Sequence, residues 1–133
     1  MTAKAFVFTK LEVADIAVAE RFYTEALGFE VTARVNETVD GAQMTEIILK
    51  TAGARQGAPC LMLTNFAGKT VPGAGAATVG FMVENVDAAV ERAVAAGATL
   101  DIAPVDAPQY HLRVAFLRDP AGHIVELLQP LAG

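Results

Sequence analysis

The chain has 133 residues, a length that fits one domain, and 53% of its residues are hydrophobic while 19% are charged. This composition excludes a disordered chain, and the net charge of −5 argues against nucleic acid or an anionic membrane as a partner. We expect a cytoplasmic protein, because there is no signal peptide or membrane-spanning run and the single cysteine excludes an internal disulfide.

The first half of the chain predicts the order β-α-β-β-β. The segment KAFVFTKLEV is typical of a strand, because its side chains alternate and Phe and Val are frequent. Asp15 is a good N-cap for the segment after it, where apolar residues recur at helical spacing until Gly28 ends the helix. Three strand-like runs follow, separated by turns that contain Gly or Asp: FEVTARVN, AQMTEIILK and PCLMLTNF.

The second half of the chain repeats this order. GAATVGFMVE predicts a strand, and Asn85 caps a helix that Gly97 ends. Three further strands are predicted over ATLDIAP, LRVAFLRD and HIVELLQ. The two copies share a register, since VADI at residues 13–16 aligns with VENV at residues 83–86.

Two copies of one pattern indicate a duplicated module, because a solenoid needs more repeats. We expect a single domain over residues 1–133, with module 1 at about residues 4–66 and module 2 at about residues 77–130. A Gly-rich linker at about residues 67–76 joins them. Each helix is expected to cover one face of its sheet, so that the other faces meet and form a cup.

Three motifs carry a resemblance to a known family: LEVADIAVAERFYTEALGFEV, GFMVENVDAAVERAVAAGATL and FLRDPAGHIVELLQP. Together with the element order, they resemble the vicinal oxygen chelate superfamily, which contains glyoxalase I, extradiol dioxygenases, fosfomycin resistance proteins and bleomycin-binding proteins. The resemblance implies an α+β fold, in which two β-α-β-β-β modules form a curved mixed sheet around the cup. It also implies a small organic ligand and a homodimer.

Metal-using members of the superfamily carry four ligands, and the resemblance assigns each one to a position of this chain. A His in the first strand corresponds to Phe8, and a ligand in the first strand of module 2 corresponds to Thr78. The third ligand aligns with Leu49, and the fourth, the Glu of the last strand, is Glu126. Because a divalent cation needs several oxygen or nitrogen ligands at once, we expect no metal and no other cofactor.

Glu126 lies inside an apolar run, where an unpaired carboxylate is costly. The sequence leaves three roles open for Glu126: hydrogen bonding within the cup wall, orientation of a ligand, or general-base catalysis. Lys10 shares a face of the first strand with Phe8 and Glu12. It is therefore expected to pair with Glu126, to pair with Glu12, or to reach solvent.

The remaining candidates are placed in the cup or at its mouth. His111 follows Tyr110 in a predicted loop, where it is either a catalytic residue or a solvated loop residue. The predicted ligand contacts are Phe8, Lys10, Leu49, Thr78, Tyr110 and Phe116. Met44, Met62 and Met82 form either an adaptable lining or ordinary core.

Three functions follow from these candidates. The leading hypothesis is metal-independent binding of a small, mostly apolar organic molecule, as in bleomycin-binding members. The second is a metal-independent isomerase or lyase with Glu126 as base, and with Lys10, Tyr110 or His111 stabilising an oxyanion. The third is a metal-dependent glyoxalase, dioxygenase or transferase, which would need Glu126, His111 and a ligand such as Glu12 to converge.

Overall fold

Two four-stranded mixed sheets, each with one helix, make up the computed structural model, which describes residues 2–132. Two compact units divide between Pro72 and Gly73, and we call them module 1 and module 2. The predicted α+β class and the order β-α-β-β-β of each module are confirmed. The elements are β1 Phe8–Glu12, α1 Ile16–Arg21, β2 Glu30–Val39, β3 Ala42–Lys50, β4 Cys60–Phe66, β5 Thr78–Met82, α2 Val86–Ala95, β6 Thr99–Ala107, β7 Leu112–Arg118 and β8 Ile124–Pro130.

The two sheets have the same strand order. It is β1-β4-β3-β2 in module 1 and β5-β8-β7-β6 in module 2. In each sheet the first strand pairs in parallel with the last, and all other pairs are antiparallel. The parallel pair needs a long crossover connection, which in each module includes the helix.

Both helices begin at the N-caps that the sequence predicts. The Val18 backbone N–H donates to the Asp15 carboxylate at 3.1 Å. The Ala88 N–H donates to the Asn85 side-chain oxygen at 3.0 Å. Each cap satisfies a backbone donor that the helix itself leaves without a partner.

The first helix ends differently from the prediction. After α1 the chain continues as a π-helical turn, Phe22–Ala26, that the periodicity did not indicate. This turn buries Tyr23 completely, with its ring edge-on to Phe22 and Phe29 at centroid distances of 5.0 and 6.0 Å. Gly28 then adopts a φ of 74°, and the Phe29 N–H donates to the Tyr23 carbonyl at 3.0 Å.

Each helix covers one face of its own sheet. In module 1, α1 packs against β3 and β4, where Leu49 and Leu63 are 0% exposed. In module 2, α2 packs against β6, β7 and β8, where Leu117 and Leu127 are also 0% exposed. These side chains alternate with those on the opposite face of the strands. Within residues 2–132, no helix is long and apolar enough to cross a membrane.

The opposite face of each sheet we call its helix-free face. The strand register shows which residues lie on this face, because the side chains of paired residues point to the same side of a sheet. In module 1 it carries Phe8, Lys10, Glu46, Ile48, Met62 and Thr64. In module 2 it carries Thr78, Gly80, Met82, Val114, Phe116, Glu126 and Leu128.

Candidate functional site

One backbone hydrogen bond recurs at equivalent places in the two modules, where the first strand leaves its sheet. The Val13 N–H donates to the Thr64 carbonyl at 2.9 Å, and the Val83 N–H donates to the Leu128 carbonyl at 2.8 Å. Both valines lie just before the helix cap, and both carbonyls lie in the last strand of the module. This correspondence fixes which residues of the two modules are equivalent.

Met62 is the residue of module 1 that corresponds to Glu126. Met62 pairs with Lys10 in the parallel β1–β4 ladder, and Glu126 pairs with Gly80 in the parallel β5–β8 ladder. The sequence comparison had instead assigned Leu49 to a ligand position. Leu49 is 0% exposed on the helix side of β3, so it cannot contact a ligand on the helix-free face. We therefore replace Leu49 by Met62 in the candidate site.

The four positions that align with metal ligands do not form a metal-binding set. They are occupied by Phe8, Met62, Thr78 and Glu126. Phe8 offers no donor atom, Met62 offers a soft thioether, and only Thr78 and Glu126 carry oxygen. Among residues 2–132 there is also no cluster of three or more His, Cys, Asp or Glu side chains that could hold a metal ion. The side chains present do not fit the superfamily's divalent metal.

Glu126 stands in an apolar neighbourhood in the middle of β8. Gly80 of β5 lies beside it on one side and Phe116 of β7 on the other. Its carboxylate makes no hydrogen bond or ion pair with any residue between 2 and 132. In the same range, every fully buried side-chain oxygen has a hydrogen-bond partner. Because the Glu126 oxygens have none, they are not fully buried, and solvent reaches them. An accessible carboxylate between apolar neighbours is free to interact with a ligand.

Glu46 of β3 is a further carboxylate within a strand, and it was not among the candidates identified from the sequence. Glu46 is only 7% exposed, and its Oε2 accepts a hydrogen bond from the Thr64 hydroxyl at 2.9 Å. The same oxygen lies 3.1 Å from Lys10 Nζ, which also sits 5.4 Å from the centroid of the Phe8 ring. Lys10 thus has a partner in its own module that none of the three expectations named.

Alternation within AQMTEIILK was the signal that could have identified Glu46. It places Glu46 on the same face as Met44 and Ile48, away from the buried Ile47 and Leu49. The argument that an acid in an apolar strand needs a partner applies to Glu46 as well as to Glu126.

His111 and Tyr110 lie at the far end of module 2 from Glu126. Tyr110 ends a short 3₁₀ turn and is 69% exposed, and His111 follows with a left-handed φ of 57°. The next residue pairs with the end of β8, four residues beyond Glu126. At a rise of about 3.3 Å per residue, this is roughly 13 Å along the strand. The structure therefore does not bring His111 next to Glu126.

The acid of the Asp-Pro-x-Gly motif organises a turn. Asp119 is 4% exposed, and its Oδ1 accepts hydrogen bonds from the backbone N–H groups of Ala121 and His123, both at 2.9 Å. Such an Asp side chain replaces backbone partners that the turn cannot supply. The motif therefore places β8, and with it Glu126, rather than supplying a reactive group.

The carboxyl groups with lowered pKa lie away from the helix-free faces. Two hydrogen bonds from Arg34 hold the pKa of Glu20 on α1 below its usual value of 4.5. Hydrogen bonds from Arg113 likewise hold the pKa of Asp87 on α2 below 3.8. Each pair joins a helix to its own sheet, which is a structural role.

Comparison with known proteins agrees with this fold. The model of the Glyoxalase/Bleomycin resistance protein/Dioxygenase superfamily matches residues 5–127. The chain belongs to this superfamily. It is 31% identical over 125 residues to a protein of Vibrio parahaemolyticus named a probable lactoylglutathione lyase, covering 91% of this chain and 87% of the relative.

Solved glyoxalase structures show the same fold. Glyoxalase I of Leishmania major, described as trypanothione-dependent, has a TM-score of 0.76 at 26% identity, with 96% of this chain and 87% of that chain covered. Glyoxalase I of Zea mays has a TM-score of 0.75 at 23% identity, with 92% of this chain covered. The match covers 44% of the maize chain, so the present chain of 133 residues spans less than half of the length of the maize protein.

Proposed function

We propose that this chain is a metal-independent superfamily member that binds a small, mostly apolar organic molecule on its helix-free faces. The observation that carries the proposal is the donor set at the four aligned positions, where Phe8 and Met62 replace ligating side chains. The faces around them are lined by apolar residues such as Ile48 and Phe116. Such surfaces favour apolar ligands with few polar contacts.

A thermal-shift screen of apolar and aromatic compounds tests this proposal. A ligand present at about 100 times its dissociation constant adds about 2.7 kcal/mol to the free energy of unfolding. We expect at least one such compound to raise the melting temperature equally with and without a chelator. A shift that needs an added divalent metal would contradict metal independence, and the absence of any shift would contradict binding.

A second candidate function, catalysis, is favoured by the unpaired carboxylate of Glu126. A carboxylate that is accessible and has apolar neighbours suits a general base acting beside a carbonyl group. The name of the Vibrio relative makes lactoylglutathione the first substrate to assay. The strand neighbours of Glu126 are Gly80 in β5 and Phe116 in β7, and neither can stabilise an oxyanion with its side chain. A group that stabilises the oxyanion would have to lie outside these two positions.

Glu126→Gln separates binding from catalysis, because it keeps the shape of the side chain and removes the base. If Glu126 is a general base, the variant should lose about 100-fold or more of any turnover and keep its ligand affinity. If the chain only binds, wild type and variant alike will leave the ligand unchanged. Turnover that survives in Glu126→Gln would remove Glu126 from the mechanism.

A further inference from the structure

The polar cluster of Lys10, Glu46 and Thr64 has no counterpart in module 2. The shared register aligns Lys10 with Gly80 and Thr64 with Leu128. Glu46 pairs with Thr64, and Val114 pairs with Leu128 in the same way. Module 2 therefore builds the same part of its sheet from Gly80, Val114 and Leu128, three residues without ionisable groups. The fold itself does not require the cluster.

A largely buried carboxylate is also a poor way to stabilise a sheet, even when a half-exposed lysine pairs with it. Taking charges out of water costs about as much as their attraction returns, and well-packed apolar residues of similar volume are often equally stable or more stable. Thr64 is 2% exposed and Glu46 is 7% exposed, so both groups are largely withdrawn from water. A cluster that the fold does not need and that stability does not favour is a candidate for a functional role.

The cluster fixes the position of one ammonium group. Lys10 Nζ forms an ion pair with Glu46 Oε2 at 3.1 Å and lies 5.4 Å from the centroid of the Phe8 ring. The Lys10 side chain is nevertheless 44% exposed, so its other donors remain accessible. Glu46 is itself held by a hydrogen bond from the Thr64 hydroxyl. The result is a cation held in place before a ligand arrives, which lowers the entropic cost of binding.

Most other neighbours of this ammonium are apolar, and Glu12 lies two residues along the same face of β1. Met62 is its neighbour in β4, Ile48 lies beyond Met62 in β3, and the Phe8 ring lies against the nitrogen itself. A ligand on this face would therefore meet this ammonium among thioether, aliphatic and aromatic groups, with the carboxylates of Glu46 and Glu12 on the same face.

We propose that Lys10 anchors an anionic oxygen, such as a carboxylate, sulfonate or phenolate, of an otherwise apolar ligand. This inference rests on the proposed function and specifies its ligand class. Glu46 and Thr64 are positioning residues, because they hold the ammonium and do not contact the ligand's anionic oxygen.

Two fluorescent probes that differ by one charge test the assignment. They are anilinonaphthalene sulfonate and phenylnaphthylamine, which is the same ring system without the sulfonate. Wild type should bind the sulfonate more tightly, and both probes should shift the backbone amide signals of Met62 and Ile48. Lys10→Met should weaken sulfonate binding about tenfold or more and leave phenylnaphthylamine binding unchanged. Lys10→Arg should restore the sulfonate preference.

Lys69→Met is the matched control. Lys69 Nζ also lies over a phenylalanine ring, 5.2 Å from the centroid of Phe66, and its loss changes the net charge of the protein equally. This variant should bind both probes as wild type does. If Lys10→Met does not fold, Lys10→Met combined with Glu46→Gln removes both charges and should show the same loss for the sulfonate alone. Glu46→Gln by itself should keep sulfonate binding, because the amide oxygen can still accept hydrogen bonds from Lys10 and Thr64.

Several outcomes would overturn the assignment. It fails if Lys10→Met matches Lys69→Met, if it weakens both probes equally, or if the sulfonate shifts no amide near Met62. If phenylnaphthylamine still binds in those cases, the proposed binding of apolar molecules is retained and only the role of Lys10 is rejected. If neither probe binds the wild-type protein, the anchor and the binding of apolar molecules on this face both fail.

Discussion

Met62 of β4 and Glu126 of β8 occupy the same register position in the two modules, Met62 beside Lys10 and Glu126 beside Gly80. At this position the repeat therefore carries a carboxylate in module 2 only. A hard divalent cation needs several oxygen or nitrogen ligands, and a thioether at the second position does not supply one. The difference between the two residues leads directly to a prediction about metal content.

Purified protein is expected to contain far less than one divalent ion per chain after incubation with nickel, zinc or manganese and dialysis. Elemental analysis of the dialysed protein measures this content. Chelator treatment is expected to leave the melting temperature unchanged, because a donor set that does not suit a divalent ion would contribute no metal-binding free energy to folding. One ion per chain, or a chelator-sensitive melting temperature, would contradict the donor-set argument.

Replacing Glu126 with leucine is expected to stabilise the protein by about 0.5–1 kcal/mol, because the change removes an unpaired carboxylate and adds apolar surface beside Phe116. Urea unfolding measures the difference. Glu126→Gln is the control that keeps the polarity and should change stability little. A clear loss of stability in Glu126→Leu would mean that the carboxylate has a structural partner. Stability gained by altering a binding residue is a common trade-off.

Replacing Glu46 with valine is expected to destabilise the protein by about 1–3 kcal/mol, because the buried Thr64 hydroxyl loses its acceptor. Adding Thr64→Leu recreates the pairing of Val114 with Leu128 in module 2 and should recover much of the loss. A double-mutant cycle from urea unfolding measures the coupling between the two sites. If the double variant is less stable than Glu46→Val, the polar cluster is required by the fold.

The sequence determined the fold better than it determined the site. Asp15 was recognisable as a cap, and alternation put Lys10 on the same face of the first strand as Phe8, where Lys10 Nζ lies over the Phe8 ring. Neither signal says which residue lies across from a given position, because pairing is set by strand register. For that reason the partner of Lys10 and the module 1 counterpart of Glu126 emerged only from the ladders of β1, β3 and β4.

The ion pair between Glu20 and Arg34 is expected to make stability depend on pH in the acid range. The pKa of Glu20 is lowered in the folded protein, so its contribution is complete above the ordinary value of 4.5 and is lost as the pH falls through the lowered value. The stability difference between wild type and Glu20→Gln should therefore shrink over that range. Unfolding in urea at a series of pH values measures it. A constant difference would contradict the pair's contribution.

Assembly into a homodimer is the last expectation. With 53% hydrophobic residues the chain has more apolar side chains than it buries, and Met82, Ile102 and Val105 remain 64%, 49% and 49% exposed. We expect these side chains to be covered by a second chain, because contiguous exposed apolar patches mark interfaces and twofold pairing is the commonest solution. Light scattering at micromolar concentration should give about twice the chain mass of 13.9 kDa. The mass should persist at high salt, because salt screens charges and not apolar contacts. A mass of one chain at that concentration would contradict the dimer and leave each ligand site to a single chain.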